Sequence, residues 1–197
     1  EQEGFEKKLN EEMLQLYLSL TYVAGENTFF RGLKKLMPGH YLVWQDGRLS
    51  ITRYWTPTFC ADEDKSLEDW AEEIHSTIEK IMPEVKTADE TAESFLSGGV
   101  DSSYVLSMSD VRMTDSCGYE EARFDESGLA AQTAEILGRE NSRCLITPEE
   151  YFAIVPYVMY NMEQPLGDAS AIAFAIACRE TAKHTKLCYS GEGADEF

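Results

Sequence analysis

Two short segments of this 197-residue chain combine glycines, serines and carboxylates in patterns suited to phosphate chemistry. The first is Ser97-Gly98-Gly99-Val100-Asp101-Ser102-Ser103. Adjacent glycines let backbone N–H groups turn toward one anion without obstruction from Cβ atoms. A helix that follows adds its unpaired N–H groups and the positive end of its dipole. Together these form a cradle for phosphate, and Ser97, Ser102 and Ser103 bring hydroxyl donors to it. The Gly-Lys-Ser/Thr ending of a Walker A loop is absent. Asp101 is out of place beside a bare polyphosphate, and fits once both share a divalent cation such as Mg²⁺. The plainer alternative is a strand-to-helix turn with Asp101 as a simple cap. All seven residues together, after a strand-like run, count against it.

The second segment is Ser190-Gly191-Glu192-Gly193-Ala194-Asp195-Glu196-Phe197. Carboxylates gathered at the end of a strand are costly unless they meet a cation or a proton-transfer task. An acidic turn with no chemistry is the alternative here. Neither segment contains Lys or Arg, although polyphosphate chemistry wants a positive side chain as well as metal.

The surrounding pattern predicts the elements that position both segments. Residues 10–20 carry Met13, Leu16, Tyr17 and Leu20 at helical spacing. His40–Trp44 and Leu49–Tyr54 are strand-like runs joined through Asp46-Gly47, a hairpin signal. Ser66 opens a helix, with Asp69 completing a variant capping box. Its apolar stripe runs from Leu67 to Ile81, and Pro83 is expected to close it. Strands then alternate with helices: Glu93–Leu96, a helix from near Ser102, Met113–Tyr119, a helix around Leu129–Leu137 and Arg143–Ile146. Thr147-Pro148-Glu149-Glu150 caps a further helix to about Met162, another spans about Ser170–Ala182, and Lys186–Tyr189 is the last strand. The alternation predicts an α/β fold, a parallel sheet with helices on both faces, preceded by a small α+β hairpin segment. Ligands on such sheets bind beyond the carboxyl ends of the strands. Both glycine segments follow predicted strands, so both point to that edge.

Composition narrows the partners. A net charge of −19 argues against nucleic acid, which needs clustered Lys and Arg. No apolar run approaches the roughly 20 residues of a membrane helix. The N-terminus is polar and acidic, unlike a signal peptide. The five cysteines lack CxxC or metal spacing and fit reduced thiols, so a cytoplasmic location is expected. His40, His75 and His184 suit structural or surface roles better than catalysis.

The first segment resembles the SGGxDSS signature of the PP-loop ATP pyrophosphatases, adenine-nucleotide α-hydrolase-like enzymes that split ATP between the α- and β-phosphates. The second resembles the SGEGADE(L/V)F segment of asparagine synthetases, with Phe197 where Leu or Val is usual. Weaker fragments agree: Pro38-Gly39-His40-Tyr41 with Tyr54-Trp55, Phe124-Asp125-Glu126-Ser127, and Glu163 to Ser170 in the manner of ExPxxDxS. The resemblance covers nearly the whole chain. It implies ATP and Mg²⁺ as cofactors, with aspartate and ammonia derived from glutamine as further substrates, no nucleic-acid or membrane partner, and room for a homodimer. By position it implies nucleotide contacts at Leu96, Ser97, Gly98, Gly99, Asp101, Ser102, Ser103, Cys117, Ser190 and Gly191. Magnesium falls to Asp101 and Asp195, and the catalytic carboxylate to Glu192. Cys117 replaces the usual aliphatic residue, a change that a backbone contact would survive.

The same resemblance divides the chain into a linker or edge segment, residues 1–62, at the end of an amidotransferase half, and a synthetase domain, residues 63–197. No Cys precedes Cys60, so the N-terminal cysteine nucleophile of the family's glutaminase half is not among these residues. With basic residues also missing from both loops, an excised or C-terminally truncated piece is expected. Rival readings are a related amide-forming enzyme of the β-lactam synthetase kind, an inactive nucleotide-binding module, or an acidic interaction domain. Intact carboxylates in both loops count against the inactive module, and the acidic domain explains neither loop.

Overall fold

The structure is a computed structural model and describes residues 3–60, 64–85, 91–165 and 167–194. It divides into two compact units. The first comprises Glu1–Glu63 and Met159–Asp168. It holds α1 (Glu12–Leu20) and an antiparallel hairpin of β1 (His40–Gln45) and β2 (Arg48–Arg53). Asp46 (φ 51°) and Gly47 (φ 73°) both take left-handed conformations, as the tight Asp-Gly turn requires. Gly39 lies against the Trp55 carbonyl and accepts hydrogen bonds from Tyr54 N–H (2.8 Å) and Trp55 N–H (3.2 Å). The two halves of the Pro-Gly-His-Tyr and Tyr-Trp pattern are thus one piece of structure. Gly167 donates its N–H to Thr21 O at 2.7 Å, which ties the Met159–Asp168 stretch to this unit.

The second unit begins with α2 (Leu67–Val85). The predicted box forms there: Asp69 accepts from Ser66 N–H (2.9 Å), and Ser66 Oγ accepts from Asp69 N–H (3.1 Å). The Ser66 hydroxyl, which donates to Asp69 Oδ2 at 2.7 Å, and then the Ser66 N–H hold the Asp69 carboxyl below its usual range. Pro83 does not end this helix, which continues to Val85. Proline removes its own N–H and crowds the carbonyl four residues back, and both costs fall near the end of the helix, where few further bonds depend on them.

Then follow β3 (Glu93–Phe95), α3 (Val100–Ser107), β4 (Met113–Tyr119), a 3-10 turn (Ala122–Phe124), α4 (Ser127–Ile136), β5 (Glu140–Ile146), α5 (Pro148–Asn161), α6 (Ser170–Thr181) and β6 (Cys188–Tyr189). The four strands form one parallel sheet in the order β5-β4-β3-β6. Compared with expectation, α3 starts earlier, at Val100, and β5 is longer at its start. β6 is shorter, and β3 stops at Phe95. The Thr147 cap is as predicted, its hydroxyl oxygen accepting from Glu150 N–H at 3.1 Å.

Leu106 of α3 and Ala130 and Ala134 of α4 pack with Ala92, Leu96 and Val111 into the apolar cluster on one face. On the other, Phe174 of α6 meets Phe95 edge-on, with ring centroids 5.2 Å apart. Arg179 of α6 bonds Glu150 of α5, and Tyr151 Oη donates to Ala169 O at 3.2 Å. His75 has its Nδ1 2.6 Å from Tyr104 Oη and therefore links α2 to α3. Among the described residues, no helix is long and apolar enough to cross a membrane.

Candidate active site

The segment from Ser97 to Gly99 joins β3 to α3. Gly98 has φ +85°, and a Cβ there would stand 2.8 Å from Leu129 Cβ and 2.9 Å from Ala130 N. Handedness and packing both demand glycine at this position. Gly99 is the extended N-cap of α3. Its N–H donates to Ser97 Oγ (3.2 Å), which lies 2.9 Å from Ser102 Oγ. Ser102 Oγ also accepts from Ser97 N–H at 3.2 Å, and the Ser103 hydroxyl donates to Gly99 O at 2.6 Å. The serine hydroxyls expected to face a ligand therefore build the turn. The earliest helical bond is Ser103 N–H to Gly99 O, so among the described residues the N–H groups of Val100 and Asp101 are open donors of the helix start, while Ser102 N lies under Gly191. The Asp101 side chain is exposed beside them, and Ser102 is buried.

The second loop leaves β6, which pairs with β3 in parallel, Glu93 against Cys188 and Ser94 against Tyr189. Both loops thus leave neighbouring strands at the same end. Ser190 Oγ accepts from Glu192 N–H at 3.1 Å, and Gly193 takes φ +90°. Gly191 rests on the first loop: a Cβ there would lie 2.7 Å from Ser102 N and 2.8 Å from Asp101 C. The backbones of the two loops touch. Glu192 is exposed at this junction. Asp195, expected to share magnesium with Asp101, lies with Glu196 outside the described residues. Among the described residues no group of three His, Cys, Asp or Glu side chains stands ready for a metal. Asp101 is the described half of the expected pair. Two glycine contacts that exclude Cβ atoms, open helix donors and an exposed carboxylate fit a polyphosphate with its cation.

The family model for asparagine synthase matches residues 73–197, more than half of the chain and both loops. The chain belongs to the asparagine synthase family. A model for a glutamine amidotransferase domain matches residues 1–55. Among curated proteins, the chain is 33% identical over 198 residues to glutamine-hydrolysing asparagine synthetase 1 of Bacillus subtilis, covering 96% of this chain and 31% of that protein. It is 31% identical over 203 residues to a Mycobacterium tuberculosis protein provisionally named as a glutamine-hydrolysing asparagine synthetase, covering 98% and 31%. An amidase of Gibberella zeae is 28% identical over 197 residues, covering 88% and 29%. The chain spans about a third of the length of these relatives.

Other features of this asparagine synthase sheet support the loops. After β4, Asp125 Oδ1 accepts from Ser127 N–H (3.1 Å) and from the Ser127 hydroxyl, and Oδ2 accepts from the Arg143 guanidinium. Hydrogen bonds from Ser127, with Arg143 alongside, hold this carboxyl below its usual range. A Cβ on Gly118 would meet Asp125 Oδ1 at 2.0 Å. The sequence marks Asp125 as part of a turn, but not its anchor Arg143 or the space left by Gly118. A glycine inside a strand is the available signal that something approaches closely.

Leu96 contributes its side chain to the apolar cluster and is 2% exposed. The Cys117 thiol, pushed up to about 12 by burial with Cys144 beside it, is no nucleophile. It lines a cavity of about 220 Å³ between β4, β5 and α6. The Glu163–Asp168 stretch belongs to the first unit, and Leu166 within it lies outside the described residues.

Proposed function

We propose that the protein catalyses ATP-dependent conversion of aspartate to asparagine through an aspartyl-adenylate, releasing AMP and pyrophosphate. The observation that carries this reading is the contact of Gly191 with Asp101 and Ser102, which makes one site of two loops. ATP lies across them, its adenosine against the backbone at Leu96 and Cys117. Gly98, Gly99 and the open N–H groups of α3 hold the pyrophosphate portion, with the Ser97, Ser102 and Ser103 hydroxyls shaping that cradle. Backbone groups of Ser190 and Gly191 complete the nucleotide contacts. Bound at Asp101 and Asp195, Mg²⁺ supplies charge neutralisation for the departing pyrophosphate.

The side-chain carboxylate of aspartate attacks the α-phosphorus, the bond to the β-phosphate oxygen breaks, and the mixed anhydride forms. Holding the two reactants in line is the main contribution of the loops. Ammonia then attacks the acyl carbon, Glu192 takes the proton it sheds, and AMP leaves. Glutamine is the source of the ammonia through a glutaminase half, a division supported by the amidotransferase match over residues 1–55. On this reading residues 1–62 end that half, residues 63–197 carry the synthetase site, and the enzyme works in the cytoplasm.

Aspartate-dependent exchange of labelled pyrophosphate into ATP tests the proposal in the full-length protein with Mg²⁺. Exchange is expected with aspartate and absent without it. The likeness to an amidase favours one alternative, a related enzyme amidating another acid. Exchange with a different carboxylic acid and none with aspartate would select it.

A further inference from the structure

Behind both loops, the seam between β3 and β4 buries two carboxyl groups. Glu93 is 8% exposed and Asp115 is 9% exposed. In the strand register Asp115 stands opposite Phe95, two residues along β3 from Glu93. Residues two apart on a strand share a face, so both carboxyls lie on the side covered by α6. Glu93 Oε2 and Asp115 Oδ2 are buried and receive no hydrogen bond among the described groups. Two ionised carboxylates in contact, without a donor, are not sustainable inside a sheet.

Among the described residues the surroundings supply no compensating cation. Cys188 on β6, the register partner of Glu93, and Cys117 on β4 both carry thiols pushed up to about 12 by burial, so they stay neutral. Cys178 on α6 and Cys144 on β5 are shifted the same way. Arg143 on β5 is engaged with Asp125. Glu180 on α6 adds negative charge, itself held by Arg179 and Lys183. His184, which follows α6, is exposed to solvent.

We propose that Glu93 and Asp115 hold one proton between them and form a pH-sensitive clasp joining β3 to β4. A single proton satisfies both bare oxygens at once, with Glu93 donating and Asp115 accepting. Burial, and then the neighbouring Asp115, push the Glu93 carboxyl up to about 7 from an ordinary 4.5. For an acid raised on folding, the native state binds the extra proton. The clasp's contribution is therefore complete below the unfolded value of 4.5 and is lost as pH rises through about 7. Its effect runs opposite to the usual rise of stability with pH from salt-bridged carboxylates. Loss of the shared proton loosens the seam between the strand that feeds the first glycine loop and the strand that carries Cys117.

The test is carboxyl-carbon NMR titration of the Glu93 side chain in this chain, together with thermal midpoints of the wild type, Glu93→Gln and Asp115→Asn at about pH 5 and pH 8. Glu93 is expected to titrate near neutrality. The midpoint of wild type relative to Glu93→Gln is expected to fall between the two pH values, because the amide keeps a donor that cannot ionise. Asp115→Asn should move the Glu93 titration downward. A Glu93 carboxyl titrating in the ordinary carboxylate range would overturn the proposal, as would a wild-type difference from Glu93→Gln that is the same at both pH values. Should either variant fail to fold, the wild-type titration decides alone.

Discussion

Gly191→Ala is expected to weaken binding of Mg²⁺–ATP by about tenfold to a hundredfold, as measured by calorimetry. The added methyl group would stand 2.7 to 2.9 Å from backbone atoms of Asp101 and Ser102, which cannot swing aside as a side chain would. Overpacking of this kind costs about 1–3 kcal/mol. Here it is relieved by separating the loops that the nucleotide must bridge, so the cost appears largely as lost affinity. Gly128→Ala is the matched control, because nothing lies within 4 Å of a Cβ at that helical position. It should leave binding unchanged and slightly favour α4. Equal losses in both variants would refute the steric account.

Asp101→Asn is expected to lower aspartate-dependent pyrophosphate exchange by about 10²- to 10³-fold, in line with losing one charge-stabilising group at a reacting phosphate. The substitution keeps size and shape. Asp101 is exposed in the first turn of α3, so stability should stay within about 0.5 kcal/mol. The loss should be steepest at low Mg²⁺ concentration and partly recovered at high concentration, since a weakened metal site fills by mass action. Exchange that survives with unchanged magnesium dependence would remove Asp101 from the metal site.

Much of the architecture was legible because strand and helix signals alternate cleanly after Ser66. The limits of β4, Met113–Tyr119, coincide with the run read from sequence, and the Thr147 cap carries its own local chemistry. The misplaced boundaries have local causes. Pro83 looks like a stop, yet a proline this near the helix end has few further bonds to disturb. The start of α3 at Val100 was hidden because Val reads equally well as strand.

What periodicity cannot supply is the order of strands. That β6 pairs with β3, setting Gly191 on Asp101 and Ser102, is a contact across some 90 positions of sequence, and no local signal encodes it. The glycine segments placed two turns at one edge of the expected sheet, while the direct contact between them required the strand order. The Glu93 and Asp115 pair escaped for the opposite reason. Charged residues in short strands read as edge or surface positions, and only the pairing of β3 between β4 and β6 buries them. Gly118 and Arg143 belong to the same class, because each matters through Asp125, which neither adjoins in sequence.

The central claim is that one triphosphate engages both turns, and backbone amide shifts during titration with Mg²⁺ and a non-hydrolysable ATP analogue test it most directly. The account predicts that the Gly98, Gly99 and Asp101 amides and the Gly191 and Glu192 amides all move, along one saturation curve with one Kd. Shifts confined to one of the two loops, or two curves with separate dissociation constants, would contradict it.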